Sequence, residues 1–83
     1  MEVLTRERNM RLVYQVHDLI PIPEDVPTLE ISKGDEGIIR ELILHNDGVT
    51  AIVEITYSTG QTRGWIFVEI LPEEKVLSYT LEE

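Results

Sequence analysis

Apolar positions along this chain come in short runs, and turn residues interrupt the runs at close spacing, which predicts an all-β domain. The segment RLVYQVHDL (Arg11–Leu19) alternates: Leu12, Tyr14 and Val16 face one way, and Arg11, Val13, Gln15 and His17 the other. It reads as a half-buried first strand. IPIPEDVPTLEI follows. Pro21, Pro23 and Pro27 lack a backbone N–H, which excludes a central strand there. A long, stiff, acidic loop is expected instead, with Leu29 and Ile31 tucking inward at its end.

KGDEG (Lys33–Gly37) predicts a turn with two glycines open to positive φ. IIRELIL (Ile38–Leu44) is a strand whose alternation is blurred on both faces, so a bulge or sharp bend is expected. HNDG (His45–Gly48) is a strong hairpin signal. In TAIVEITY (Thr50–Tyr57), Ala51, Val53, Ile55 and Tyr57 oppose Thr50, Ile52, Glu54 and Thr56. STGQ (Ser58–Gln61) predicts the next hairpin, TRGWIFVEIL (Thr62–Leu71) the fourth strand, and Pro72 its end. KVLSYTL (Lys75–Leu81) predicts a short closing strand.

Five short strands with one apolar face would leave an open sheet wet on that face and unpaired at its edges. Curling into a small, partly open barrel answers both problems. Gly64, an interior strand glycine, fits a bend or a close backbone approach. Residues 1–9 read as a mobile N-terminal arm, 10–81 as one barrel domain, and 82–83 as a frayed end. Eighty-three residues hold one core and no second domain.

Composition narrows the chemistry. The absence of cysteine excludes a disulfide framework, a Cys-zinc or iron–sulfur site and a thiol nucleophile, and agrees with a cytoplasmic setting. MEVLTRERNMR has no apolar signal-peptide core, and no segment is long and apolar enough to span a membrane. Residues 1–20 carry three bases and three acids, whereas 21–83 carry four bases and thirteen acids, the whole of the net charge of −9. That balance disfavours nucleic acid and favours a basic protein surface or a divalent cation.

Candidate catalytic groups are scattered. His17 and His45 have no metal-ligand spacing. Asp18, Glu24, Asp25, Glu30, Asp35 and Glu36 cluster around the long loop without the spacing of a calcium-binding loop. Ser32, Ser58 and Ser78 lack a nucleophile-elbow context, and KGDEG lacks the Lys-Ser/Thr of a phosphate loop. No enzyme activity, metal or cofactor is expected.

KGDEGIIREL followed by TGQTRGWIFVEIL resembles the SH3-like barrel pattern over roughly Leu12 to Leu71. In SH3 domains a long loop follows the first strand, a Lys-Gly-Asp type turn leads into the next, and a Gly-aromatic-Ile step comes late. Arg63-Gly64-Trp65-Ile66 stands at that late step. The resemblance implies a five-stranded SH3-like partly open barrel with a long Pro-rich loop after the first strand. Peptide-binding members carry an adjacent Trp pair and a Pro-Ser-x-x-Tyr step. This chain has Tyr14 in its first strand but no Trp pair, and Phe67-Val68-Glu69 where the Pro step would lie. GDEG-I-I-x-E-L and the late W-I-x-V-x-x-LP are more similar to small bacterial and cyanobacterial SH3-like proteins. Among these are the electron-transport accessory barrels: a small accessory component of photosystem I, the variable chain of ferredoxin–thioredoxin reductase, and the ferredoxin-docking component of the photosynthetic NDH complex. Such barrels have no active site and dock on larger assemblies. Members that bind ferredoxin present basic residues, which this acidic chain does not match.

The sharpest candidate surface is Trp65. With Ile66 facing the core, Trp65 and Phe67 share the opposite face, and regular alternation adds Arg63. Tyr57 or the loop prolines are expected near them. A Trp, Phe and Arg group is typical of interface hot spots. Glu24, Asp25 and Glu30 of the acidic loop are expected to flank it. The sequence thus predicts a non-enzymatic module or accessory subunit that docks on a protein with a basic surface. A cation-responsive, calcium-type acidic barrel and a nucleic-acid-binding barrel are the alternatives, the latter opposed by the charge. The competing expectation for Trp65 and Phe67 is a second small core, covered by the long loop or the C-terminal segment.

Overall fold

A computed structural model describes residues 14–71 and 74–82. The proposed arm at 1–9 and the opening of the predicted first strand, residues 11–13, lie outside the described residues. Five antiparallel strands form one sheet in the order β1-β2-β3-β4-β5. They are β1 (Leu19–Pro21), β2 (Glu36–His45), β3 (Gly48–Thr56), β4 (Thr62–Ile70) and β5 (Lys75–Glu82). The sheet curls without closing, and the result is a small, partly open barrel with a long Pro-rich loop between β1 and β2.

The core lies on one face of this sheet. Ile39, Ala51, Val53, Ile55, Ile66 and Val68 point into it from β2, β3 and β4. The long loop supplies the other wall with Ile22, Val26, Leu29 and Ile31. Leu29 and Ile31 therefore tuck inward as the sequence predicts. The loop holds its shape through a single 3-10 turn at Pro27–Leu29 and a bridge between Val26 and Ile31. Its carboxylates serve the backbone: Asp25 Oδ1 accepts from the Lys33 N–H at 2.8 Å, and Asp35 Oδ2 from the Ser32 N–H at 2.8 Å. Gly34 of the KGDEG turn has φ 95°, a conformation side chains disfavour. Gly37 of the same motif is already inside β2.

The first strand departs from expectation. The alternation of Arg11–Leu19 predicts a strand there, yet among the described residues β1 starts only at Leu19, although the His17 N–H and the Asp18 carbonyl already bond to Ile39 of β2. Gln15–Asp18 turns instead. Asp18 accepts the Gln15 N–H on Oδ2 at 2.9 Å, its own N–H donates to the Gln15 carbonyl, and His17 takes φ 83°. An aspartate that offers the backbone such a local partner competes with the ladder. Pro21 sits in β1, which is tolerated because β1 is an edge.

The remaining elements follow the sequence closely. Asn46–Asp47 is a two-residue hairpin turn between β2 and β3. Tyr57–Gln61 joins β3 to β4, with the Tyr57 N–H donating to the Gln61 carbonyl at 2.8 Å. Three register shifts interrupt the ladders. They fall between Ile39 and Glu41, between Ile55 and Thr56 opposite Arg63, and between Phe67 and Val68 opposite Ser78. The first is the irregularity that the blurred pattern of Ile38–Leu44 predicts.

Candidate functional site

The face away from the core has its own order. Three rungs cross β3, β4 and β5: Thr50–Glu69–Val76, Ile52–Phe67–Tyr79 and Glu54–Trp65–Leu81. Ile66 is fully buried on the core side, and Trp65 and Phe67 are half-buried on this outer side, as alternation requires. Phe67 meets Tyr79 edge to face, with ring centroids 5.6 Å apart. Val76, Tyr79 and Leu81 line the β5 margin at 37%, 56% and 42% exposure, high for side chains of their size. The centre of this face is aromatic and apolar, and among the described residues no strand borders it beyond β5.

Carboxylates border it. Glu54 is the single buried charged side chain among the described residues, with 8% of its surface accessible. Its cover is shallow, because it lies on the outer face between neighbouring side chains. Arg40 Nε donates to Oε1 at 2.7 Å, and the Thr62 hydroxyl donates to Oε2. The Thr62 hydrogen bond, then Arg40, hold the Glu54 carboxyl below its ordinary value, against the opposing effect of desolvation. At the other end of the face, the Thr50 hydroxyl donates to Glu69 Oε2 at 2.6 Å. His45 Nε2 lies 3.0 Å from that hydroxyl and 3.1 Å from Glu69 Oε1. With the Thr50 proton given to Glu69, Nε2 must be the donor of the imidazole.

Arg63 is not on this face. Regular alternation places it beside Trp65, but Thr62 pairs with Thr56 and Gly64 with Ile55, so Arg63 is the extra residue of a bulge. Its guanidinium stacks on Tyr57, 4.9 Å from the ring centroid, and Nη2 lies 3.6 Å from Glu30 Oε1. Together with Thr28 and Leu29 these residues line an open depression of about 170 Å³ at the loop rim. Tyr57, expected near Trp65, belongs here instead. Glu30 is 83% exposed, so its pairing with Arg63 contributes little. Glu24 is exposed on the loop, and Asp25 is committed to the Lys33 N–H. The six candidate residues therefore divide between the outer face, which holds Trp65 and Phe67, the rim, which holds Arg63 and Glu30, and the loop, which holds Glu24 and Asp25.

The long loop covers the core face of β4, not Trp65. Among the described residues, the cross-strand neighbours of Trp65 on the outer face are Glu54 on one side and Leu81 of the C-terminal strand on the other. Glu54, Tyr79 and Leu81 were not among the sequence candidates, because their relation to Trp65 depends on register. The one available signal was Glu54 itself, an acid within an otherwise apolar run.

Among the described residues no group of three or more His, Asp or Glu side chains is placed to hold a metal ion. No helix among them is long and apolar enough to cross a membrane. A scan against protein-family models finds no match to this chain, and neither the curated proteins nor the solved structures include a similar one.

Proposed function

We propose that this protein is a non-enzymatic interaction module, an accessory subunit that docks on a larger protein assembly through the outer face of β3–β5. The observation that carries this reading is the aromatic and apolar strip of Ile52, Trp65, Phe67, Tyr79 and Leu81 on the face that the long loop leaves uncovered. Large aromatic side chains lose little conformational entropy on binding and dominate interface energetics. Glu41 and Glu69 at the margins, with a net charge of −9, suit a partner whose contact surface is basic. Arg63 and the acidic loop form a separate rim that a large partner would reach second. The five-stranded antiparallel sheet and the long loop after β1 support kinship with SH3-like accessory barrels, and such a module belongs in the cytoplasm.

The test is an affinity capture from native lysate with the wild type, Trp65→Ala and Phe67→Ala, and Leu44→Ala as control. Leu44 is 62% exposed on β2, away from the strip. A protein retained by wild type and control should be lost from both aromatic variants. Truncating a central hot spot costs at least about 2 kcal/mol, roughly 30-fold in affinity. Circular dichroism checks the fold. If Trp65→Ala unfolds, or keeps the partner, the platform is elsewhere.

A further inference from the structure

An unclosed sheet has two edges. Here they are β1, three residues long, and β5, eight residues long. Among the described residues no strand pairs with the outer side of β5. Long edges are ordinarily blunted by inward charges, proline or brevity. Along β5 the charged residues are confined to the ends, Lys75 and Glu82, and exposed Val76, Tyr79 and Leu81 lie between them.

We propose that β5 is a self-association edge, pairing antiparallel with β5 of a second copy about a two-fold axis. One register matches the faces of the two strands. It sets Val76 level with Leu81 of the second copy, Leu77 with Thr80, and Ser78 with Tyr79. Val76 and Leu81 are an odd number of residues apart, so in a regular strand they would face opposite ways. The bulge at Ser78 removes that conflict: Val76 lies level with Glu69, and Tyr79 and Leu81 with Phe67 and Trp65, all on the outer face. Ser78 is held in the bulge by its hydroxyl, which donates to the Phe67 carbonyl at 2.9 Å. Leu77 and Thr80 share the core side in the same way, level with Val68 and Ile66. Moving the register by one residue sets outward residues against inward ones. In the paired form the aromatic strips of the two copies continue across the junction.

Like net charges oppose association, so the measurement belongs at physiological ionic strength, where the screening length is about 8 Å. Sedimentation equilibrium over a concentration series should show the mass of the full chain rising from 9.6 kDa towards twice that value. Val76→Glu and Leu81→Lys should each stay at the monomer mass, and Ile43→Lys on β2 should associate as the wild type does. The combined Val76→Glu, Leu81→Lys charge exchange sets opposite charges level across the junction and should restore the dimer. Amide hydrogen exchange on the wild type needs no variant: β5 amides should exchange more slowly at high protein concentration than at low. A wild type that stays monomeric, growth beyond the dimer, a folded charge exchange that does not associate, or β5 exchange independent of concentration would each overturn the proposal.

Discussion

Gly64 is the residue on which the long loop closes, and this can be measured. A methyl group built on Gly64 would lie 2.6 Å from Leu29 Cδ2, 3.1 Å from Leu29 Cδ1 and 3.1 Å from the Leu81 carbonyl oxygen. Gly64→Ala must therefore displace the end of the Leu29 side chain, and in a packed core overpacking of this kind costs about 1–3 kcal/mol. Leu29 is itself 5% exposed, so Leu29→Ala should cost about 2–5 kcal/mol. A chain of 83 residues has about 4–12 kcal/mol of stability in all. If the two costs added, about 3–8 kcal/mol would be lost and the double variant would be close to unfolded. They should not add. Leu29→Ala removes the atoms that Gly64→Ala collides with and leaves room for the new methyl group. Only the approach to the Leu81 carbonyl remains. The double variant should be nearly as stable as Leu29→Ala alone, a coupling of about 1–2 kcal/mol between residues in contact.

Urea unfolding of the wild type, both single variants and the double variant supplies the cycle, with Trp65, the sole tryptophan, as the fluorescent probe. Thermal unfolding is an independent reading, because each kcal/mol moves the midpoint by about 4–8 °C in a domain of this size. A Gly64→Ala penalty equal in both backgrounds would refute the argument. It would mean that glycine is required by the β5 carbonyl, not by the loop.

Two further variants probe the polar borders of the outer face. Glu54 has a lower pKa folded than its ordinary 4.5, so its contribution is present above that value and fades as pH falls through the folded value. The stability gap between wild type and Glu54→Gln should therefore narrow below pH 4.5, and a gap that stays constant through the acid range counts against the Thr62 and Arg40 contacts. Thr50→Val keeps the shape but removes the hydroxyl between His45 and Glu69, and should cost about 0.5–1.5 kcal/mol in thermal unfolding; no loss would show that water replaces it.

Much of this fold was legible because its signals are local. The two-residue turn after His45, the loop prolines, and the clean alternation of β3 each act within a few residues. Leu29 and Ile31 could be read as inward because an apolar pair at the end of a polar loop has little other reason to be there. Residues 14–18 do not continue the strand that alternation predicts, because Asp18 accepts the Gln15 N–H locally and alternation does not register that competitor. The candidate site was legible by halves. The facing of Trp65 and Phe67 follows from Ile66 by alternation alone. Their neighbours Glu54, Tyr79 and Leu81 come from other strands, and only register brings them close.

The bulges matter most, because each changes which face a side chain serves. With regular alternation Arg63 would share the surface of Trp65, and the strip would be a cation beside two aromatic rings. The extra residue in β4 turns Arg63 to the loop rim instead, onto Tyr57 and Glu30. Arg40 lies at the β2 irregularity, and its charge is answered at 2.7 Å by Glu54. Among the described residues, neither Arg40 nor Arg63 is left unpaired beside the aromatic strip, and Glu41 and Glu69 lie at its margins. A third irregularity, at Ser78, aligns Val76, Tyr79 and Leu81 on the same side as the strip. Such a face suits the proposed docking on a basic, apolar-centred protein surface, and its β5 margin is where the proposed pairing would extend it.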